Sequence, residues 1–527
     1  MAAIAYSAYN ENFGACLVTT GCAGTNTITG VLHAWQDNIP CIFISGQQNY
    51  EHTIGYSGLP LRQVGVQEAD IVEIVKSITK YASMVCDARQ IAYQLDEAIF
   101  AAKSGRMGPV WLDIPLNIQN SMVDEEKLKR YHAQEKVFHC QEEDFQIVMK
   151  ELKKSMRPVV IAGQGIRNAH AMNELKEVVE RHHLPVVFTR SASDMLPFDH
   201  PCNFGIVGAT AASRFANFIV QNSDLVISIG CRLSLDTTGT AVDKFAREAE
   251  IIVVDIDETE HRKKGVNIDK FILSDAKFFL EKMNNMQKIP CKQEWLDKCY
   301  HWKTIFKPYA DDVTKQEKIN IAYFLEKLSE KMPENAIVMS DAGMTGMEVP
   351  VNCHLHKSQR LVHSFSQGEM GFVLPGAIGV ASINNDMVFA ITGDGSIMMN
   401  LQELQTIVRN HFNVKIVINN NNGYSGVRHG QKAHFRGKTI GTDVTNGIDF
   451  PDYKKIADAF GITYIRIEKY DEIEKQLECL IETDTPCICE VITDPDAFSL
   501  HSALVMYGKR KFGFRPIEDQ SPFIERK

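Results

Sequence analysis

Two short stretches of this sequence put oxygen donors where a fold can use them: GDGS at 393–396 and NNNNGY at 419–424. An aspartate carboxylate (Asp394), an asparagine amide oxygen (Asn421) and a glycine carbonyl (Gly423) are all hard donors. Mg²⁺ asks for about six such ligands and usually takes some from a bound phosphate. Gly393 and Gly395 let the backbone turn sharply and come close to a ligand. Ser396 and the amides after it open a helical stretch, where anionic oxygens are favoured. The chemistry these residues imply is a diphosphate gripped through Mg²⁺, with Asp394, Asn421 and the Gly423 carbonyl on the metal and the remaining asparagines as turn residues.

For that to work the two stretches must meet. The first strand runs to Thr392, and Ile397, Leu401, Leu404 and Val408 then recur at helical spacing, predicting a helix with one buried face. A second strand follows from about Val414 to Ile418. A parallel crossover is right-handed, so both strand tips open on one edge of the sheet, where open α/β sheets bind ligands.

The same alternation of short apolar strands and helical stretches runs through the whole chain. It appears over 15–120 (ACLVTT, PCIFISGQ, GPVWLDIP), again from 157 (PVVIAGQGI, PVVFT, DLVISIG, EIIVVDID), and again from 318 (NAIVMSDAG, DMVFAITGDGS, FNVKIVINNNNGY, CICEVITD). It predicts an α/β protein of three doubly wound parallel-sheet domains. Charged or polar linkers are expected at 126–145 and 287–317, which leaves domains at 1–125, 146–286 and 318–497 and a tail at 498–527. AGQGI holds a lone Gly-x-Gly after a strand, which hints at a dinucleotide but equally makes a tight strand-to-helix turn.

A net charge of −10 argues against a general partner in nucleic acid or anionic membrane. No uninterrupted apolar run approaches the ~18 residues of a membrane span. Thirteen cysteines without a CxxC pair fit a reducing, cytoplasmic setting better than a disulfide or zinc framework. At the start, MAAIAYSAYNENFG has helical spacing back to Met1 with no capping residue before it, so the expectation is a chain that begins inside a helix.

GDGS followed by NN is the pattern of thiamine diphosphate enzymes, and the chain resembles the acetolactate synthase group of that family from Met1 to about Pro495. LVTTGCAGTN, FISGQ, QEADIVEIVKSITKY and GPVWLDIP are similar to its pyrimidine domain (1–125). HPCNFGIVGATAA, SDLVISIGCR and VVDID are similar to its central domain (146–286), and GEMGFVLPGAIG, GDGS and NNNNGY to its diphosphate domain (318–497). The resemblance implies thiamine diphosphate bound through Mg²⁺ at Asp394, Asn421 and Gly423, with Gly393, Gly395, Ser396 and Tyr424 around it. It also implies that Met370 wedges the coenzyme into its bent form, with Gly368 beside the aminopyrimidine. Asn26 and Gln47 would come from a partner subunit, so a homo-oligomer (dimer or tetramer) with active sites between subunits is implied. Gln47 ends an apolar strand, where a polar side chain is expected to face the open edge; Gln47 and Met370 are the catalytic candidates.

What the resemblance implies for function is decarboxylation of a 2-oxo acid, pyruvate, and transfer of the two-carbon unit to a carbonyl acceptor. The glutamate that activates the coenzyme in that family falls before Met1 by its spacing from Gly21, and Glu11 sits in the turn after the first helix. The expectation is a start assigned too late, with the leading strand and helix missing; a noncatalytic relative and a simple 2-oxo acid decarboxylase are the alternatives. Cys22 stands where the synthases have proline, and Gly430 where they have a large aromatic. That opens room for a bulkier acceptor, and a keto-sugar nucleotide is the expectation. Gly208, Arg232 and Asp255 match parts of the family's FAD site, but LSLDTTG lacks its double aspartate and second arginine, so fold maintenance is the equal alternative.

Overall fold

A computed structural model describes residues 1–134, 136–496, 504–507 and 511–520. By packing, the chain divides into one unit of Met1–Lys136 with Ser364–Asn385, and a second of Val137–His363 with Asp386–Lys527.

The first unit holds a four-stranded parallel sheet in the order β1-β2-β4-β3: β1 (Gly14–Thr19), β2 (Cys41–Gln47), β3 (Tyr81–Met84) and β4 (Val110–Pro115). Ile4, Val31, Phe43, Ile71 and Trp111 form the core on one face, Ile42, Ala98, Val110 and Leu112 on the other. The first helix is Ala2–Asn10, without a side-chain cap, and Glu11 follows it at φ 50 in the left-handed turn. Residues 364–385, expected within the 318–497 domain, pack here instead. Helix Val373–Ala381 lies against Ala2–Asn10, and a Cβ on Gly379 would stand 2.1 Å from the Ala2 carbonyl oxygen. Only glycine allows two helices that approach.

The second unit contains two six-stranded parallel sheets. One comprises β5 (Pro158–Ala162), β6 (Val186–Phe188), β7 (Asn203–Ile206), β8 (Leu225–Ile229), β9 (Glu250–Asp255) and β10 (Lys270–Leu273), ordered β10-β9-β8-β5-β6-β7. Its central strands are buried on both faces, as near-continuous runs such as VVIA and LVISI require. The polar stretch 287–317 is more than a linker: helix Gln293–Ile305 packs Trp295, Cys299 and the partly buried Trp302 into the core of this sheet. Three apolar residues among charged ones give too thin a stripe for composition to reveal.

The other sheet comprises β11 (Ile337–Ser340), β12 (Arg360–His363), β13 (Val388–Gly393), β14 (Val414–Asn420), β15 (Thr463–Ile467) and β16 (Cys487–Ile492), ordered β12-β11-β13-β14-β16-β15. The chain leaves β11 toward one edge of the sheet and β13 toward the other, so the crevice between their C-terminal tips is the topological switch point. In the expected tail, β17 (Leu504–Tyr507) and β18 (Lys511–Phe514) pair antiparallel. Ile517 and Gln520 are then buried, with Gln520 Nε2 donating to the Ala209 carbonyl at 3.0 Å. Residues 498–503, 508–510 and 521–527 of that tail lie outside the described residues. No helix among the described residues is long and apolar enough to cross a membrane.

Candidate functional site

β13 and β14 pair in parallel with Gly393 opposite Asn419, which brings the GDGS and NNNNGY loops to the same sheet edge. Asp394 is buried and joins them: one carboxylate oxygen accepts from the Gly395 N–H and the other from the Gly423 N–H, each at 2.8 Å. Burial nonetheless outweighs these donors and the nearby Arg428, and pushes the Asp394 pKa up to about 6. The carboxylate is short of positive charge.

The four asparagines separate by partner. Asn419 Oδ1 accepts from the Thr493 hydroxyl at 2.6 Å, and Asn420 Nδ2 donates to Glu490 at 2.6 Å while its Oδ1 accepts from the Asn422 N–H. Asn422 is exposed at φ 55, the left-handed turn that asparagine tolerates. Asn421 alone is buried with its Nδ2 donating to Ser425 at 3.1 Å and its Oδ1 without a partner. An orphaned buried acceptor costs about 1–3 kcal/mol. A carboxylate short of charge and an amide oxygen short of a donor, on loops tied together, fit a divalent cation. The Gly423 carbonyl accepts from the Ser425 N–H at 3.0 Å and keeps a second lone pair.

Around this pair, a Cβ on Gly393 would meet no protein atom within 4 Å, whereas one on Gly395 would strike the Tyr424 ring at 2.1 Å. The open volume therefore lies beside Gly393, and Tyr424 backs the turn from the other side. The stretch after GDGS departs from the expected single helix. Residues Ile397–Glu403 are 3₁₀, Asn400 breaks the geometry at φ −137, and Leu404–Arg409 is the α-helix. The tighter winding moves the buried positions to Ile397, Leu404 and Ile407 and leaves Leu401 and Val408 half-buried. The Ser396 N–H bonds the Gly393 carbonyl at 3.2 Å, so this terminus offers less to an anion than an α-helix would.

Two groups here escaped the sequence reading. Arg428 is buried and binds the backbone of the NNNNGY loop from behind. Nη2 donates to the Asn421 carbonyl at 3.3 Å and the Pro495 carbonyl at 2.6 Å, Nη1 donates to the Asn422 carbonyl at 3.2 Å, and Asp443 faces it at 3.5 Å. The run SGVRHGQ gives no sign that its arginine points inward. Arg428→Lys, which cannot span three carbonyls, is expected to weaken Mg²⁺-dependent coenzyme binding about tenfold in calorimetry, the range of supporting-shell losses. The second group is the β11 tip. Asp341 is buried and accepts from the Thr392 hydroxyl at 2.9 Å, and Gly343, at φ 70 with open space where a Cβ would be, starts helix Met344–Asn352. SDAG after a strand was the available signal, but only strand order identifies it as one side of the switch point.

Asn26, Gln47, Gly368 and Met370 belong to the first unit. Asn26 is exposed at the end of helix Cys22–Asn26. Gln47 does not face an open edge: it is buried, Nε2 donates to Asp113 at 2.9 Å and to the Ala69 carbonyl at 3.1 Å, and Oε1 accepts from the Gln48 N–H. Asp113, whose pKa burial pushes up to about 6, draws the amide inward. Gly368 has φ 60, and Met370 is half-buried before Gly371 at φ 80.

In the central sheet the Gly-x-Gly is a tight turn. Cβ atoms on Gly163 and Gly165 would come within 2.2 and 2.7 Å of the Gly230 backbone, and helix Gln164–Asn168 starts at once. Gly208 exchanges hydrogen bonds with the Asn217 amide, Asp255 accepts from the Asp257 N–H and faces His261, and the Arg232 carbonyl accepts from Lys263.

Comparison with known proteins agrees with this geometry. Family models of the thiamine pyrophosphate enzymes match residues 1–74 (N-terminal TPP binding domain), 145–283 (central domain) and 341–491 (C-terminal TPP binding domain). The acetolactate synthase isozyme 2 large subunit of Escherichia coli (strain K12) is 31% identical over 501 residues, covering 94% of this chain and 86% of the relative. The acetolactate synthase large subunit of Cyanidium caldarium is 30% identical over 521 residues, covering 95% and 85%. The probable acetolactate synthase large subunit of Methanocaldococcus jannaschii is 31% identical over 503 residues, covering 92% and 81%.

Proposed function

This chain belongs to the thiamine pyrophosphate enzyme family, in its acetolactate synthase-like group, and from that premise we propose that it decarboxylates pyruvate and joins the two-carbon unit to a bulky carbonyl acceptor such as a keto-sugar nucleotide. The observation that carries the reading is the unpartnered, buried Asn421 Oδ1 on a loop bonded to the charge-poor Asp394 carboxylate.

When bound, thiamine diphosphate supplies the nucleophilic carbon and the sink for charge left by CO₂. The protein positions and shields it. Asp394, Asn421 and the Gly423 carbonyl would hold Mg²⁺ for the diphosphate, Arg428 fixes the loop that presents two of those three oxygens, and open space beside Gly393 and Gly343 would leave room for phosphate. Met370, between Gly368 and Gly371, both at positive φ, would be the wedge against the coenzyme. The exposed Asn26 serves the site of a second copy, so the protein works as a homo-oligomer; a monomer in light scattering would contradict this. The bonds made by Gly208, Asp255 and the Arg232 backbone support fold maintenance as their role, and no step of the scheme uses FAD. Thirteen free cysteines suit the cytoplasm.

The acceptor reading rests on Gly430, on helix Ser425–His434, where a Cβ would meet nothing within 4 Å. Purified protein with Mg²⁺, thiamine diphosphate and pyruvate should form the carboligation product only when the larger ketone is supplied. Acetolactate alone would overturn the acceptor, and acetaldehyde release without any acceptor would assign a decarboxylase. Gly430→Trp is expected to lower kcat/KM for the bulky acceptor about tenfold or more while pyruvate turnover alone stays level, since a filled pocket discriminates by roughly 1–3 kcal/mol.

A further inference from the structure

We propose that His33 is a positioning residue: a buried, charged latch that clamps loop 364–370, and with it Gly368 and Met370, onto helix Ile28–Gln36 of the first unit. The imidazole is 1% exposed. Its Nδ1 lies 2.7 Å from Glu369 Oε1 and its Nε2 3.4 Å from Asp37 Oδ2, and the ring meets the Phe372 edge at 4.9 Å between centroids. Both carboxylates also bind the loop. Asp37 accepts from the Phe365 N–H at 2.9 Å and the Ser366 N–H at 3.1 Å. Glu369 accepts from the Ser364 hydroxyl, which accepts in turn from the Gly368 N–H at 3.1 Å. Gln367 adds a bond to the Thr29 carbonyl at 3.4 Å. One ring thus joins the two ends of a seven-residue loop to a single helix, and Glu369 sits between the two residues assigned to the coenzyme.

Charge on the ring is what makes the latch hold. Burial works against protonation, but the two carboxylates outweigh it and hold His33 at about 9. Their own pKa values are correspondingly lowered. Among the elements packed on this helix, Ile4, Ile71 and Val75 are apolar and the exposed Lys76 pairs with Glu73, while the Met1 amino nitrogen lies beside Gly30, one helical turn before His33. The sign follows from a folded value above the unfolded ~6.5. The stabilisation is complete below about pH 6.5 and is lost as pH rises through 9. Removing one member of such a buried set leaves the others uncompensated.

That the latch serves the coenzyme rests on the function proposed above, so the test has an arm independent of it. Hydrogen exchange of the 365–370 amides in the wild-type protein, corrected for intrinsic rates, should accelerate about tenfold between pH 7 and 10. In His33→Gln and Glu369→Gln exchange should be fast already at pH 7, and the double variant should be little worse than either single one. The wild-type fall in Tm between pH 6.5 and 9.5 should flatten in all three. Calorimetry with thiamine diphosphate and Mg²⁺ should show affinity reduced about five- to tenfold in the variants. Protected, pH-independent loop amides in the wild type, or additive singles, overturn the latch whatever the coenzyme does. Loosened loops with unchanged coenzyme affinity overturn the positioning role. A wild type that binds no thiamine diphosphate sinks the functional reading and the positioning role together, while the exchange arm still decides whether the latch exists.

Discussion

Asp394→Ala should abolish Mg²⁺-dependent binding of thiamine diphosphate while leaving a folded protein. Changes to residues that merely support a metal ligand reduce affinity about 10–100-fold, so loss of a ligand itself should exceed about 100-fold in calorimetry. Two terms oppose one another in the metal-free fold. The variant loses an acceptor for the Gly395 and Gly423 N–H groups. It also sheds a carboxylate that burial has pushed up to about 6, a penalty of about 3 kcal/mol at most at neutral pH. The metal-free melting temperature should therefore lie within a few degrees of wild type. Ligand changes that picture. At about 100 times its dissociation constant, a native-state ligand stabilises by about 2.7 kcal/mol. The wild type should show that rise in Tm with Mg²⁺ and thiamine diphosphate, and Asp394→Ala should show none. An equal rise in both would remove Asp394 from the site, and the metal assignment with it.

The parts of this site that could be read in the sequence share one property: their chemistry is carried by local spacing. GDGS and NNNNGY each end an apolar run, and a right-handed crossover between adjacent strands leaves little choice about where they meet. Asn421 is the buried member whose amide oxygen is left over, while the Asn419 and Asn420 side chains bond Thr493 and Glu490 and Asn422 is exposed in the turn. What stayed hidden depends on long-range packing. Arg428 looks like any surface-helix arginine until the Pro495 carbonyl, in the segment after β16, reaches it. Gln47 ends its strand as expected, but Asp113 on β4 turns its amide inward, and no local pattern encodes a partner that distant in sequence. Residues 364–385 read as part of the third domain because their order is right, while Gly379 carries a contact with the first helix that only the folded chain displays. The stretch after GDGS departs from a single α-helix for a different reason. Leu401 and Val408 keep a 3.6 period, but Asn400 lets the backbone tighten to 3₁₀, and residue spacing cannot distinguish the two windings over so short a run.

Gly423→Ala should be the most damaging single methyl in the second unit. The residue has φ 141, a region essentially closed to side chains, where occupancy costs about 1–3 kcal/mol. Its added Cβ would lie 2.1 Å from the Thr442 carbonyl oxygen and 3.0 Å from Arg428 Nη1. The first contact is with backbone and cannot be relieved by a rotamer change; overpacking of this kind adds about 1–3 kcal/mol. Thr442 cannot simply retreat, since its carbonyl accepts the Tyr424 N–H at 2.9 Å and its own N–H is held by Asn446. Two responses remain. If the loop holds, the variant should melt several degrees lower, at about 2–4 °C per kcal/mol for a domain of this size. If the loop shifts, the Gly423 N–H leaves Asp394 and the three-carbonyl grip of Arg428 opens, so stability recovers while coenzyme affinity falls about 100-fold. Thermal melting and calorimetry on one preparation separate these responses, and a variant normal in both would show that the loop does not need this backbone. Gly426→Ala is the matching control: it lies in the helix that follows, meets nothing within 4 Å, and should raise stability by about 0.5–1 kcal/mol through helix propensity alone. Opposite signs three residues apart would locate the constraint in the geometry of the NNNNGY loop rather than in glycine content.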